Sequence, residues 1–189
     1  MPKRSKEHLQ ARREQILDGA RRAFARYGYE GATVARLEEE IGLSRGAIFN
    51  YFASKLDLFV ALATEDEAQI LNIWMEHGFE AALREIAEQN PDWLGVYLEN
   101  GRRLRTDEEF RKRWKSRNPD LEERTHEWLA RLRAKGEIRD DMPLEQVGSF
   151  FGLVLDGVAL HVSMGFPVDV EPVLALVRDA IAPRKASVA

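Results

Sequence analysis

Apolar residues recur at three- and four-residue spacing along almost the whole chain, and no run of β-branched residues alternates with polar ones for long. That period predicts an all-α protein. Ile16, Leu17, Ala20, Phe24 and Tyr27 share one stripe while Arg12, Arg13, Arg21, Arg22 and Arg26 lie off it, which predicts a helix from about Glu7 to Tyr27 stopped by Gly28. Thr33 is the expected N-cap of a short helix to about Ile41, Gly42 ends it, and the next helix begins at Ser44. The result is helix, three-residue turn, helix between Thr33 and Phe52. Ser54 with Asp57 three residues on matches a capping box, so a long fourth helix is expected from there to about His77. Asn90-Pro91, Asn118-Pro119 and Met142-Pro143 place proline where a helix begins but cannot continue, and Gly136 and Gly165 are expected stops.

The last two segments, Leu144 to Met164 and Val170 to Ile181, are richer in apolar residues than the rest. Val147, Phe150, Phe151, Val154, Leu155, Val158, Ala159 and Val162 occupy more than one face, so the first of these helices is covered on more than one side. A subunit interface formed by Phe151, Val154, Leu155, Val158, Leu174 and Val177 is the expectation. A central core helix in a monomer is the other reading.

Composition narrows the class. At 189 residues and 44% hydrophobic content the chain can bury a real core, and the absence of cysteine leaves no disulfide framework or thiolate metal site, which fits a cytoplasmic home. The N-terminus is basic and polar with no apolar run behind it, unlike a signal peptide. The longest greasy segment, Phe150 to Leu155, falls far short of the roughly 20 apolar residues of a membrane span. Net charge is −4, yet residues 1 to 60 carry 11 Lys and Arg against 8 Asp and Glu, while the remaining 129 carry 17 against 24. A basic module on an acidic body suits a domain that meets phosphate, and ordinary surface scatter gives the same count, so charge alone decides nothing.

The segment from Gly42 to Lys55 carries the chemistry. Ser44 can cap the second helix and offer its hydroxyl or amide to phosphate, at the positive end of that helix. Gly46 lacks a side chain and Ala47 has a small one, so that end can approach a duplex closely. Arg45 can bind phosphate or a guanine edge, Asn50 an adenine edge or a phosphate, and Tyr51 can reach the backbone. Ile48 and Phe52, four apart, point the other way and pack on the first helix.

From Arg13 to Phe59 the chain resembles the TetR family of bacterial regulators, in Ile16-Leu17-Asp18-Gly19-Ala20, Phe24, Gly28-Tyr29, Ala32-Thr33-Val34, Leu37 and the Gly42 to Lys55 block. The resemblance implies an all-α homodimer without a cofactor, in which three N-terminal helices, residues 1–53, bind a palindromic double-stranded DNA operator. It also implies a helical body, residues 54–189, that dimerises and binds a small-molecule effector. Carried over by position, Thr33, Ser44, Arg45, Gly46, Phe49, Asn50, Tyr51 and Lys55 fall where the family touches DNA, and Ala47 is placed with them. Phe49 departs from the tyrosine often seen there, which leaves it either van der Waals contact with DNA or simple packing. The two recognition helices of such a dimer would enter successive major grooves roughly 34 to 36 Å apart. Arg45-Gly46-Ala47-Ile48-Phe49, then Leu104-Arg105-Thr106-Asp107 with Phe110-Arg111 and Trp114, and Val154-Leu155-Asp156-Gly157 are similar to the actinobacterial aconitase-repressor branch. Trp128 and Arg178 depart from that branch, so its effector is not carried over.

An effector pocket needs apolar walls with a few convergent polar groups. Trp74, Trp93, Tyr97, Asn100, Arg103, Trp128 and His161 are the candidates, against the plainer reading of core tryptophans and solvated arginines. The run Arg102-Arg103-Leu104-Arg105 either holds an anion or forms an exposed face paired with Asp107, Glu108 and Glu109. Catalysis finds little support: His8, His77, His126 and His161 are scattered, and no metal pattern, phosphate loop, GxSxG elbow or cysteine nucleophile is present. A helical small-molecule enzyme or a protein adaptor without DNA binding is the alternative, and an adaptor leaves Ser44 to Lys55 without a purpose.

Overall fold

The computed structural model describes residues 6–88, 91–116 and 120–184, without the side chains of 91–98 and 121–122. Among the described residues the chain is all-helical: α1 (Lys6–Gly31), α2 (Val34–Ile41), α3 (Arg45–Phe49), α4 (Lys55–His77), α5 (Phe79–Glu88), α6 (Pro91–Thr106), α7 (Glu108–Ser116), α8 (Leu121–Ala134), α9 (Leu144–Ser163) and α10 (Val170–Ile181). The expected stops act as stops. Gly28 breaks α1 at φ 67, and Gly42, Gly136 and Gly165 lie in the left-handed region, where a side chain is strained. Ser54 and Asp57 start α4 as expected, with Ser54 Oγ accepting the Asp57 N–H at 3.1 Å. The expected start near 119 falls outside the described residues. The fourth helix ends at His77 as expected, with Gly78 separating it from α5, whereas one break has no counterpart in the sequence reading: Asp107 separates α6 from α7 by accepting the Phe110 N–H at 2.9 Å.

Two compact units result. The first contains α1 to α3, α4 as far as Ala68, α6 and α7; the second contains α4 from Gln69, α5 and α8 to α10. In the first, Ile16, Leu17, Phe24, Leu37, Ile48, Leu58 and Phe59 form one core that reaches Phe110 of α7. The Phe59 ring meets Phe24 edge-on at 5.0 Å and Tyr29 at 5.1 Å. Helix α2 lies against α1 at Gly19, where an added Cβ would stand 2.5 Å from Ile41 Cα and 2.9 Å from the Glu40 carbonyl oxygen. Arg13 pairs with Glu65 at 2.9 Å and Arg21 with Asp66 at 2.7 Å, tying α1 to α4. Burial works against the Arg21 charge, but Asp66 and Asp18 outweigh it and raise its pKa.

The second unit centres on Phe151 of α9, whose ring lies 4.4 Å from Phe79 and 5.7 Å from Trp74. Helix α9 is the one described helix long and apolar enough to cross a membrane by length and composition. It instead packs on α5 and α8, burying Val147, Phe151, Leu155 and Val158. Glu80 with Arg178 and Arg84 with Glu171 join α5 to α10 on the surface.

Candidate nucleic-acid interface

Helices α2 and α3 are each fixed by a hydroxyl cap. Thr33 Oγ1 accepts from the Arg36 N–H and Ser44 Oγ from the Ala47 N–H, both at 3.4 Å, while the Gly42 N–H closes α2 on the Glu38 carbonyl. Ile48 is fully buried and Phe52 nearly so, which seats α3 on the first-unit core and turns its other side outward. Thr33, Ser44, Arg45, Gly46 and Asn50 are exposed, whereas Ala47 and Phe49 are half-buried. Gly46 has nothing within 4 Å of the position a Cβ would take, so the surface beside it is open.

Three of the expected contacts look different once the geometry is known. The N-terminus of α3 is already served by the protein, because the Glu38 carboxylate accepts the Arg45 backbone N–H at 2.6 Å. Lys55 donates to the Tyr29 carbonyl at 2.8 Å and places Nζ 4.3 Å from the Tyr29 ring centroid. Burial lowers its pKa, with Glu30 opposing. Tyr51 packs on the core, and its hydroxyl is buried with no hydrogen-bond partner among the described residues.

The basic side chains of α1 are largely engaged inside the molecule. Arg22 lies 3.7 Å and Arg26 3.3 Å from the Glu40 carboxylate, and Arg13 and Arg21 hold α4. The exposed Arg36, absent from the sequence reading, donates to the Gly31 carbonyl at 2.8 Å and lies 4.4 Å over the Tyr27 ring, close to Thr33. Neither Arg36 nor Glu38 carries a signal in the sequence, since each is defined by the partner the fold brings to it.

Residues 16–62, which contain these elements, match the family described as "Bacterial regulatory proteins, tetR family". Over 184 residues the chain is 43% identical to the "HTH-type transcriptional repressor Rv1474c" of Mycobacterium tuberculosis, covering 96% of this chain and 98% of that protein. The chain belongs to the tetR family. The "HTH-type transcriptional repressor AcnR" of Corynebacterium diphtheriae is 42% identical, covering 96% of this chain and 97% of the repressor, in agreement with the narrower resemblance to the aconitase-repressor branch. Salmonella enterica GusR shares the fold, with a TM-score of 0.76 at 16% identity over 95% of this chain and 96% of its own. As a tetR-family regulator the chain is a DNA-binding protein of a non-enzymatic family.

The effector candidates of this tetR-family chain are divided between the two units. Trp74 and Trp128 meet edge-on at 5.5 Å in the second unit, and the Trp74 indole N–H is buried without a partner among the described residues. His161, also in that unit, is exposed, with Nδ1 2.9 Å from the Gly157 carbonyl oxygen. Asn100 and Arg103 are buried in the first unit; of the run Arg102 to Arg105, Arg102 and Arg105 are exposed, while Arg103 is paired with Asp107 but buried rather than solvated. The side chains of Trp93 and Tyr97 lie outside the described residues. Of the positions expected between subunits, Phe151, Leu155, Val158, Leu174 and Val177 are buried inside their own chain, and Val154 is half-buried. The large apolar side chains left uncovered on α9 and α10 are Leu153, Leu160 and Leu176.

Proposed function

We propose that the chain is a homodimeric cytoplasmic repressor whose α2–α3 pair reads a palindromic operator and lets go when a small molecule binds its helical body. The observation that carries the DNA reading is the outward face of that pair. Ser44, Arg45, Gly46 and Asn50 stand exposed together, in the donor and acceptor types that phosphates and base edges require. Thr33, Lys55 and the half-buried Ala47 and Phe49 support the docking from the edges, and Arg36 joins them. The names of the similar repressors agree with this output.

Dimerisation is supported by Leu153 and Leu176, 71% and 70% exposed, with Leu160 two turns along from Leu153 on α9. A second copy covering these leucines would dock on the outer face of α9 and α10, while Phe151, Leu155, Val158, Leu174 and Val177 hold that face up from within. For the effector, Trp74 and Trp128 remain the best-placed candidates, because the unpaired Trp74 N–H is the donor a ligand acceptor would satisfy. A ligand acts only as far as it binds the two states differently.

The test is a duplex selected by the protein from a random-sequence pool. A palindromic product, bound with an affinity that falls steeply as salt rises, is expected. Enrichment of no duplex, or binding indifferent to salt, overturns the DNA reading.

A further inference from the structure

We infer that Arg103, far along the chain from the helix-turn-helix, is a positioning residue for DNA binding: through the Tyr29 ring it holds the turn from which α2 hangs. The inference rests on the DNA reading above and names a route by which α6 acts on the reading helices.

Arg103 is 6% exposed. Its Cζ lies 3.7 Å from the Tyr29 ring centroid and 5.3 Å from that of Phe110, one terminal nitrogen is 3.5 Å from the Glu30 carboxylate, and the other is ion-paired with Asp107. A guanidinium so far out of water is costly, the more so because its Nε is buried without a hydrogen-bond partner among the described residues, and an apolar side chain would fill the same space more cheaply. What the charge adds is a single permitted placement of α6 against the end of α1, set by a planar cation on an aromatic face and a carboxylate at its edge. Asn100, one turn earlier on α6, is buried beside this patch in sequence.

Tyr29 has more attached to it than a ring contact. Its carbonyl accepts from Lys55 at the start of α4, and its ring packs on Phe24 and Phe59 of the core. It directly follows Gly28, whose φ of 67 and ψ of 171 break α1. The chain then passes to α2 through the Ala32 N–H on the Gly28 carbonyl at 3.0 Å and the Thr33 N–H on the Gly31 carbonyl at 2.8 Å. Arg36 of α2 donates to that same Gly31 carbonyl. From the Arg103 guanidinium to the first turn of α2 there is therefore a continuous set of short contacts, and a shift of α6 breaks the first of them. The terminal nitrogens of Arg103 face Glu30 and Asp107 and its plane lies over Tyr29, which suits a positioning role.

The experiment compares the wild-type protein with Arg103→Met, Arg103→Lys, Tyr29→Leu and the Arg103→Met/Tyr29→Leu double variant, on the duplex that the wild type selects from a random pool. Helix content and thermal midpoint are followed in parallel, and Leu83→Ala, in the core of the second unit, serves as a variant destabilised elsewhere. Arg103→Met and Tyr29→Leu are each expected to weaken binding by roughly two- to thirtyfold, with the double variant no worse than the poorer single. Arg103→Lys should recover part of the loss. The salt slope of binding should stay at the wild-type value, because no phosphate contact has gone. Wild-type affinity in folded Arg103→Met overturns the inference alone, as does a fall of about one in its salt slope, which marks a direct phosphate contact. An equal loss in Leu83→Ala also overturns it by reducing the effect to general stability. Failure of the wild type to select any duplex overturns the DNA reading and this inference with it.

Discussion

The Glu38 carboxylate accepts the Arg45 backbone N–H at 2.6 Å, so α2 itself closes the N-terminus of α3. The bond fixes the angle between the two helices, and it places a negative charge beside the face proposed to meet phosphate. The two effects separate by substitution. Glu38→Gln keeps an acceptor and removes the charge, so binding should tighten modestly. Glu38→Ala removes both, and loss of a charge-assisted bond worth about 1.5 kcal/mol should loosen α3 and weaken binding. Anisotropy titrations at fixed salt check both; equal gains in the two variants would show that the bond does not order α3.

Arg45→Ala and Asn50→Ala should weaken binding and also relax the preference at particular base pairs, each by about 1–3 kcal/mol at the affected position. Lys55→Ala should weaken binding to all sequences alike and lower the thermal midpoint, because the ammonium also holds the Tyr29 carbonyl. Binding to a panel of single-base operator variants distinguishes the two patterns.

Tyr51→Phe should leave DNA affinity unchanged and raise stability by up to about 1 kcal/mol, since it removes a buried hydroxyl that has no partner among the described residues. Chemical denaturation together with a binding titration tests this. A drop in affinity would mean that the hydroxyl turns out to meet phosphate in the complex.

Leu153→Glu and Leu176→Glu should produce monomers by sedimentation while keeping the helix content of the wild type, because neither side chain is covered within its own chain. A charge at Val158, which is buried, should unfold the second unit instead. A Leu153→Glu protein that remains dimeric would move the interface away from the outer face of α9.

Acid should loosen the α5–α10 junction. The hydrogen bond from Arg178 holds the Glu80 carboxyl below its ordinary pKa, with burial opposing, so the folded value lies below the unfolded one. The pair's stabilising contribution is therefore complete above the ordinary glutamate pKa and is lost as pH falls through the depressed folded value. Glu80→Gln should lower the midpoint near neutrality and leave it less sensitive to acid, as measured by melting between pH 3 and 7. Both side chains are about half exposed, so the effect should be small and reduced by salt.

The helix-turn-helix was legible in the sequence because its boundaries are local. Thr33, Gly42 and Ser44 act on backbone groups within four residues of themselves, and residue type alone announces such caps. The same holds for Gly28, Gly136 and Gly165. Arg103 was not legible, since a helix bearing Arg102, Arg103 and Arg105 beside Asp107 reads as a solvated face until Tyr29 arrives from 74 residues earlier. The apolar positions of α9 posed a different difficulty. Their number shows that more than one face is covered, but the period does not tell the stripe that meets α5 and α8 from the one carrying Leu153 and Leu160. Glu38 was invisible for the same reason as Arg103, because its partner lies across the turn.

Gly19 carries a genetic consequence. Nothing larger than a hydrogen fits between its Cα and the Ile41 backbone, so every substitution there pushes α2 off α1, and α3 goes with it. No single compensating change in a neighbouring side chain can restore the space, because the obstacle is main chain. In a screen for alleles that no longer silence their target, this codon should therefore yield mutants whatever residue it encodes, and revertants should return glycine itself.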